Sequence, residues 1–210
     1  DSASTPAAGG GGGTSPSSVS GVVAGGSPIA NATVTITGAN SSGSVSTTSG
    51  ADGSYTANIG ALQFPLQISA VNTQNANTTT LRSLALEGQT TANVTPATNA
   101  ITLAVGNTVT ATEIQRVTDL LLAALANYIS GADTDFFADA TFVANSTGVD
   151  EVFDLIDIQF DNANVVLQSR VDPAQTTTFD PNATTAPTPA PSVGYNYEVR
   201  TSGAAGSGAT

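Results

Sequence analysis

ANATVTITGANSSGSVSTTSGADGSYTANIG, residues 30–60, is the stretch on which the fold class turns. Val34 and Ile36 alternate with Thr33, Thr35 and Thr37, and Tyr55 and Ala57 alternate with Ser54, Thr56 and Asn58. A period of two puts one side of each run on an apolar face and the other in water, the pattern of a half-buried strand. GANSSG and GADG separate the runs and supply the residues that tight turns need. Outward from this stretch, VSGVV (19–23) and PLQISAV (65–71) have the same character, with GGSP as a further turn. Strands and turns recurring at about 8–12 residues predict a β-sandwich.

LRSLALEG and NAITLAVG extend the pattern, so the predicted sandwich covers residues 19–109. The character then changes. In TATEIQRVTDLLLAALANYISG, Thr110 and Glu113 have capping-box spacing, and Ile114, Val117, Leu120, Leu121, Ala124, Leu125 and Tyr128 recur at helical spacing. This predicts an amphipathic helix of about 18 residues closed by Gly131 at the C′ position. Val149, Val152, Phe153 and Ile156 suggest a short second helix, and IDIQF with NVVLQSRV suggests a hairpin about DNAN. Residues 110–171 therefore read as an α+β segment. A Thr/Pro linker (172–192) follows, then SVGYNYEVR and a C-terminal tail (193–210). At the other end, residues 1–18 form a Gly/Ser-rich tether with a run from Gly9 to Gly13. The expected fold class is mainly β with a helical segment, an Ig-like sandwich plus an α+β segment, and extended terminal tails.

Gly21-Val22-Val23, Pro28-Ile29-Ala30-Asn31-Ala32-Thr33-Val34, and Thr47-Thr48 leading into Ala51-Asp52-Gly53-Ser54-Tyr55 resemble the carboxypeptidase regulatory-like domain, a transthyretin-like sandwich. The resemblance covers residues 19–71 in a bacterial surface-protein context. It implies a non-catalytic extracellular accessory module and brings no active-site residues with it.

Composition narrows the chemistry. Arg82, Arg116, Arg170 and Arg200 are the only cations beside sixteen carboxylates, and the net charge is -12. Four scattered arginines cannot displace counterions from nucleic-acid phosphates, and the same balance disfavours anionic membranes. With no Cys, His or Lys, disulfides, thiolate or imidazole metal sites, Ser-His-Asp triads and Schiff-base chemistry are out of reach. Paired carboxylates remain, but a glycosidase cleft needs aromatic platforms, and aromatics are 5% of the chain with no Trp. An enzyme is not expected. No run approaches the about 20 apolar residues of a membrane span.

Eight of the sixteen carboxylates lie between Asp133 and Asp161. Asp133, Asp135 and Asp139 are oxygen ligands of the kind calcium takes, and Asp150, Asp154, Asp157 and Asp161 would share one face of a helix. EF-hand spacing fails, so the preferred reading is a solvated acidic surface without a cofactor, calcium being the lesser alternative. Six Asn-x-Ser/Thr sequons occur, at Asn31, Asn40, Asn77, Asn93, Asn145 and Asn182. The Thr/Pro stretch is a further glycan candidate.

The segment after the linker then carries the functional expectation. Val193, Tyr195, Tyr197 and Val199 alternate with Gly194, Asn196, Glu198 and Arg200. A lone strand is barely stable in water and must pair with a sheet. A linker in polyproline geometry, at about 3.1 Å per residue, could carry it to a neighbouring molecule. Head-to-tail donation of this kind does not close on itself. The expected function is a self-assembling, pilus-like structural subunit of an extracellular filament or surface matrix, with copies of itself as partners. The alternative is a monomeric surface lipoprotein or adhesin-like binding module on the N-terminal tether. A start at Asp1 without a basic-plus-apolar leader fits an exported chain after signal-peptide removal, with a recombinant fragment as the alternative.

Overall fold

The computed structural model describes residues 16–74, 77–129, 135–145 and 148–191. It is mainly β, with several antiparallel sheets and three helices. β1 (Ser18–Val22) pairs with β4 (Ser54–Asn58), while β2 (Thr33–Thr37), β3 (Ser44–Thr48), β5 (Leu66–Gln74) and β6 (Asn77–Ala85) form a sheet in the order β3-β2-β5-β6. The two sheets face each other across Val19, Val23, Val34, Ile36, Tyr55, Ile59, Leu66, Ile68 and Leu81. The inward residues are those the alternation predicted. At β4 the Asp52-Gly53 turn forms as expected, with Gly53 at φ 78° and Asp52 Oδ1 accepting from the Ser54 N–H at 3.0 Å.

The third wall of the sandwich comes from residues 90–94, which run parallel to β1. Ser20 N–H donates to Thr90 O and Ala92 N–H to Ser20 O, at 2.9 and 2.8 Å. The Tyr55 hydroxyl, buried in the core, donates to Ala92 O at 2.5 Å. A glycine is needed opposite it, because a Cβ on Gly21 would lie 2.1 Å from Ala92 O.

NAITLAVG is a helix, not the strand that its alternation predicts. α1 spans Pro96–Val105, with Thr95 and Thr98 closing a reciprocal capping box and Pro96 in the first turn. Ala97, Ala100, Ile101 and Val105 are buried, so the helical period wins over the short alternating run. α2 (Ala111–Ala124) has 14 residues, shorter than predicted. Thr110 caps it as expected, but Glu113 bonds to Arg116 rather than returning to the cap. Gly131, expected to close it, lies outside the described residues.

α3 (Val149–Leu155) leads directly into β7 (Ile156–Asp161), which pairs with β8 (Asn164–Ser169), and β8 pairs with β9 (Thr176–Phe179). β9 was not anticipated. Its TTTF run lacks alternation and falls in the predicted linker, but Phe179 is buried and holds it in place. The three helices and this sheet enclose a second core around Ile101, Leu121, Leu125, Phe153, Ile156 and Leu167. β6 serves both cores: Leu81 and Ala85 face the sandwich, and Leu84 faces the helices.

Candidate functional site

The residues proposed for self-assembly, Val193, Tyr195, Tyr197 and Val199, lie outside the described residues. The chain that leads to them is described, and it is no free tether. Residues 181–191 form a strap laid along α2. At one end the Arg116 guanidinium bonds both carboxylate oxygens of Glu113, at 2.9 and 2.5 Å, and gives a third hydrogen bond to Pro181 O at 2.6 Å. The hydrogen bond from Arg116 holds the Glu113 carboxyl below its ordinary range, and the same bond pushes the guanidinium up. At the other end Ala190 is buried, and its N–H donates to Ala124 O at 2.7 Å. That bond takes a carbonyl of the last turn of α2. Asn127 Nδ2 donates to Ala190 O at 2.8 Å, and the Tyr128 hydroxyl donates to Pro191 O. Between these anchors the strap borders a cleft of about 730 Å³ lined by Glu113, Arg116, Asp119, Leu120, Asn182, Ala183, Thr184 and Ala186.

A second feature lies where the two cores meet. β6 pairs only with β5 and β7 only with β8, leaving one edge of each unpaired among the described residues. Arg82 turns its N–H to Asn99 Oδ1 at 3.1 Å and its carbonyl to Thr98 Oγ1 at 2.9 Å, away from β5. Backbone groups in an antiparallel strand alternate between its two sides, so Thr78 and Thr80 face outward as Arg82 does. On β7, Ile156 gives its N–H to Val152 O. By the same alternation Ile158 and Phe160 turn away from β8. No backbone partner reaches these four positions on that side among the described residues. Both edges border a cleft of about 420 Å³ that also includes Pro96 and Asn99 of α1 and the Asp157–Arg170 pair, 3.8 Å apart.

The acidic residues are dispersed. Asp150 and Asp154 lie on α3, whereas Asp157 and Asp161 lie on β7, so the helical face predicted for the four does not exist. Asp135 Oδ1 accepts from the N–H groups of Phe137 and Ala138, and Asp139 Oδ1 accepts from the N–H and hydroxyl of Thr141. These oxygens shape turns. Asp133 lies outside the described residues, and no group of three or more potential metal ligands occurs among those described. Of the sequons, Asn93 is buried: its Oδ1 accepts from Val22 N–H and its Nδ2 donates to Asp139 O. Asn31, Asn40, Asn145 and Asn182 are exposed, and the Asn77 side chain lies outside the described set. No described helix is long and apolar enough to cross a membrane.

Sequence reasoning missed Asn127, Tyr128 and the two strand edges. Tyr128 read as part of the apolar stripe of the helix and Asn127 carried no signal, and nothing in the downstream proline-rich run named a partner for either. No family model, curated protein or solved structure matches the chain.

Proposed function

We propose that the protein is a self-assembling structural subunit of an extracellular filament or surface matrix, in which residues 193–200 of one copy pair with a sheet of the next. The observation that supports this reading is the strap. Its end at Pro191 is anchored to α2 through main-chain carbonyls, so the strand-patterned segment departs from a defined point on the molecule. The prolines at 181, 187, 189 and 191 cannot donate backbone hydrogen bonds, which keeps the strap itself out of any sheet. Each ladder bond formed by the donated segment nets about 1 kcal/mol, and burial of Tyr195 and Tyr197 adds to it. The resemblance of residues 19–71 to a regulatory-like module agrees with a structural role.

The test is electron microscopy of the purified chain beside a chain lacking residues 193–210. Filaments from the full chain and folded monomers from the truncated one are expected. Monomers from both would favour the alternative, a monomeric surface or adhesin-like module. Filaments from both would remove the donated segment from the reading.

A further inference from the structure

We infer that the cleft between β6 and β7 is the acceptor, taking residues 193–200 of a second copy as an added strand; this rests on the strand-donation reading above. β6 reaches the cleft through Thr79 and Leu81 and β7 through Ile158 and Phe160, and the outward backbone groups of Thr78 and Thr80 lie on that same β6 edge, without a backbone partner among the described residues. An incoming strand can therefore satisfy groups on either wall. Exposed edges usually carry a guard such as Lys, Pro or a bulge. The chain has no Lys and neither edge run contains Pro, and α1 covers only the Arg82 end of the β6 edge, through Asn99 and Thr98.

Length and charge select the occupant. Eight residues at about 3.3 Å each outrun the open stretch on either edge. The segment alternates through Val193, Tyr195, Tyr197 and Val199, with Glu198 and Arg200 on its other side. One of the chain's four arginines lines the cleft, Arg170 beside Asp157. In a molecule of net charge -12, copies repel each other, and a contact must put carboxylates against the few cations. Glu198 against Arg170 and Arg200 against Asp157 would do so. Donation to another copy, rather than to the chain's own cleft, is carried over from the strand-donation reading and is decided by the double variant below.

The absence of Cys makes disulfide trapping clean. Full-length Thr79→Cys, whose side chain lines the cleft, is mixed under mild oxidation with full-length chains bearing Gly194→Cys, Asn196→Cys or Glu198→Cys. Ser46→Cys on β3 and Thr177→Cys on β9 serve as competing edges. A disulfide-linked pair is expected with Thr79→Cys and one donor position, and only background with the other two edges. Preferential linkage to Ser46→Cys or Thr177→Cys overturns the cleft while leaving strand donation standing. A Thr79→Cys/Asn196→Cys double variant that closes a disulfide within one chain overturns transfer between copies. No linkage at any edge, in preparations whose filaments persist without residues 193–210, sinks both readings.

Discussion

The sandwich and the helical half are built on different kinds of contact. In the sandwich, β2–β3 and β5–β6 are joined directly in sequence while β1–β4 and β2–β5 pair across intervening strands, and residues 90–94 are held by Tyr55 and by the close approach at Gly21. In the helical half, β9 follows β8 as a hairpin, but α2 is covered from far along the chain, by the strap at residues 181–191. The sandwich encloses its own core; the helical half must share β6 with it through Leu84. A unit whose strands interlock fails mainly where its own packing is disturbed, whereas a unit covered by a distant strap depends on a few anchors.

The severest test of that contrast is Phe153→Ala. Phe153 is fully buried at the centre of the helical core. Its truncation should cost about 3–5 kcal/mol in denaturant unfolding. Because β6 belongs to both cores, one transition is expected. A separate early transition that leaves the sandwich intact would show that the shared strand does not couple them.

Gly21→Ala examines the sandwich in turn. The new methyl meets Ala92 O, a backbone atom that can move only with the whole 90–94 segment. A loss of about 1–3 kcal/mol is expected, as for overpacked sites. A neutral substitution would mean that this segment is loosely held and that the sandwich closes without it.

These positions also mark what the sequence could and could not reveal. Val34, Ile36, Tyr55 and Ala57 were legible because a strand's period is local and one face is buried. The β7–β8 hairpin and α3 were legible for the same reason. α1 was misread because NAITLAVG satisfies both periods over a few residues, and the deciding signal, Thr95-Pro96 with Thr98, lay just upstream. The strap and the cleft were not legible. Arg116, Asn127 and Tyr128 bind carbonyl oxygens that every residue carries, so no side-chain pattern in 181–191 announces its partner. An unpaired edge is likewise a property of how sheets are arranged, not of any one strand.

Tyr55→Phe removes the hydroxyl and leaves Ala92 O without that donor, an expected loss of about 1–2 kcal/mol. Burial pushes the Tyr55 phenol well above its ordinary value. The folded state thus holds the proton while the unfolded chain releases it near pH 10. The stability from this group is complete below that pH and declines as pH rises through and beyond it. The gap between wild type and Tyr55→Phe in denaturation midpoint should therefore narrow in alkali. A gap that widens would contradict the buried, protonated phenol.

Ala163→Gly should give the smallest effect and the opposite sign. Asn162 and Ala163 form the two-residue turn between β7 and β8, at φ 48° and 67°. Both central residues of a type I′ turn need positive φ, which Asn tolerates and Ala resists because of its Cβ. Glycine relieves that strain but widens the unfolded ensemble, so the net gain should be about 0.5–1 kcal/mol, or roughly 1–4 °C in Tm. The turn is local and exposed, and neither Asn162 nor Ala163 lines the strap or the cleft, so the gain should leave both untouched. A loss of stability would show that the hairpin is held by its packing on α1 and α3 rather than by its turn, placing even this local element under the long-range rule of its half of the molecule.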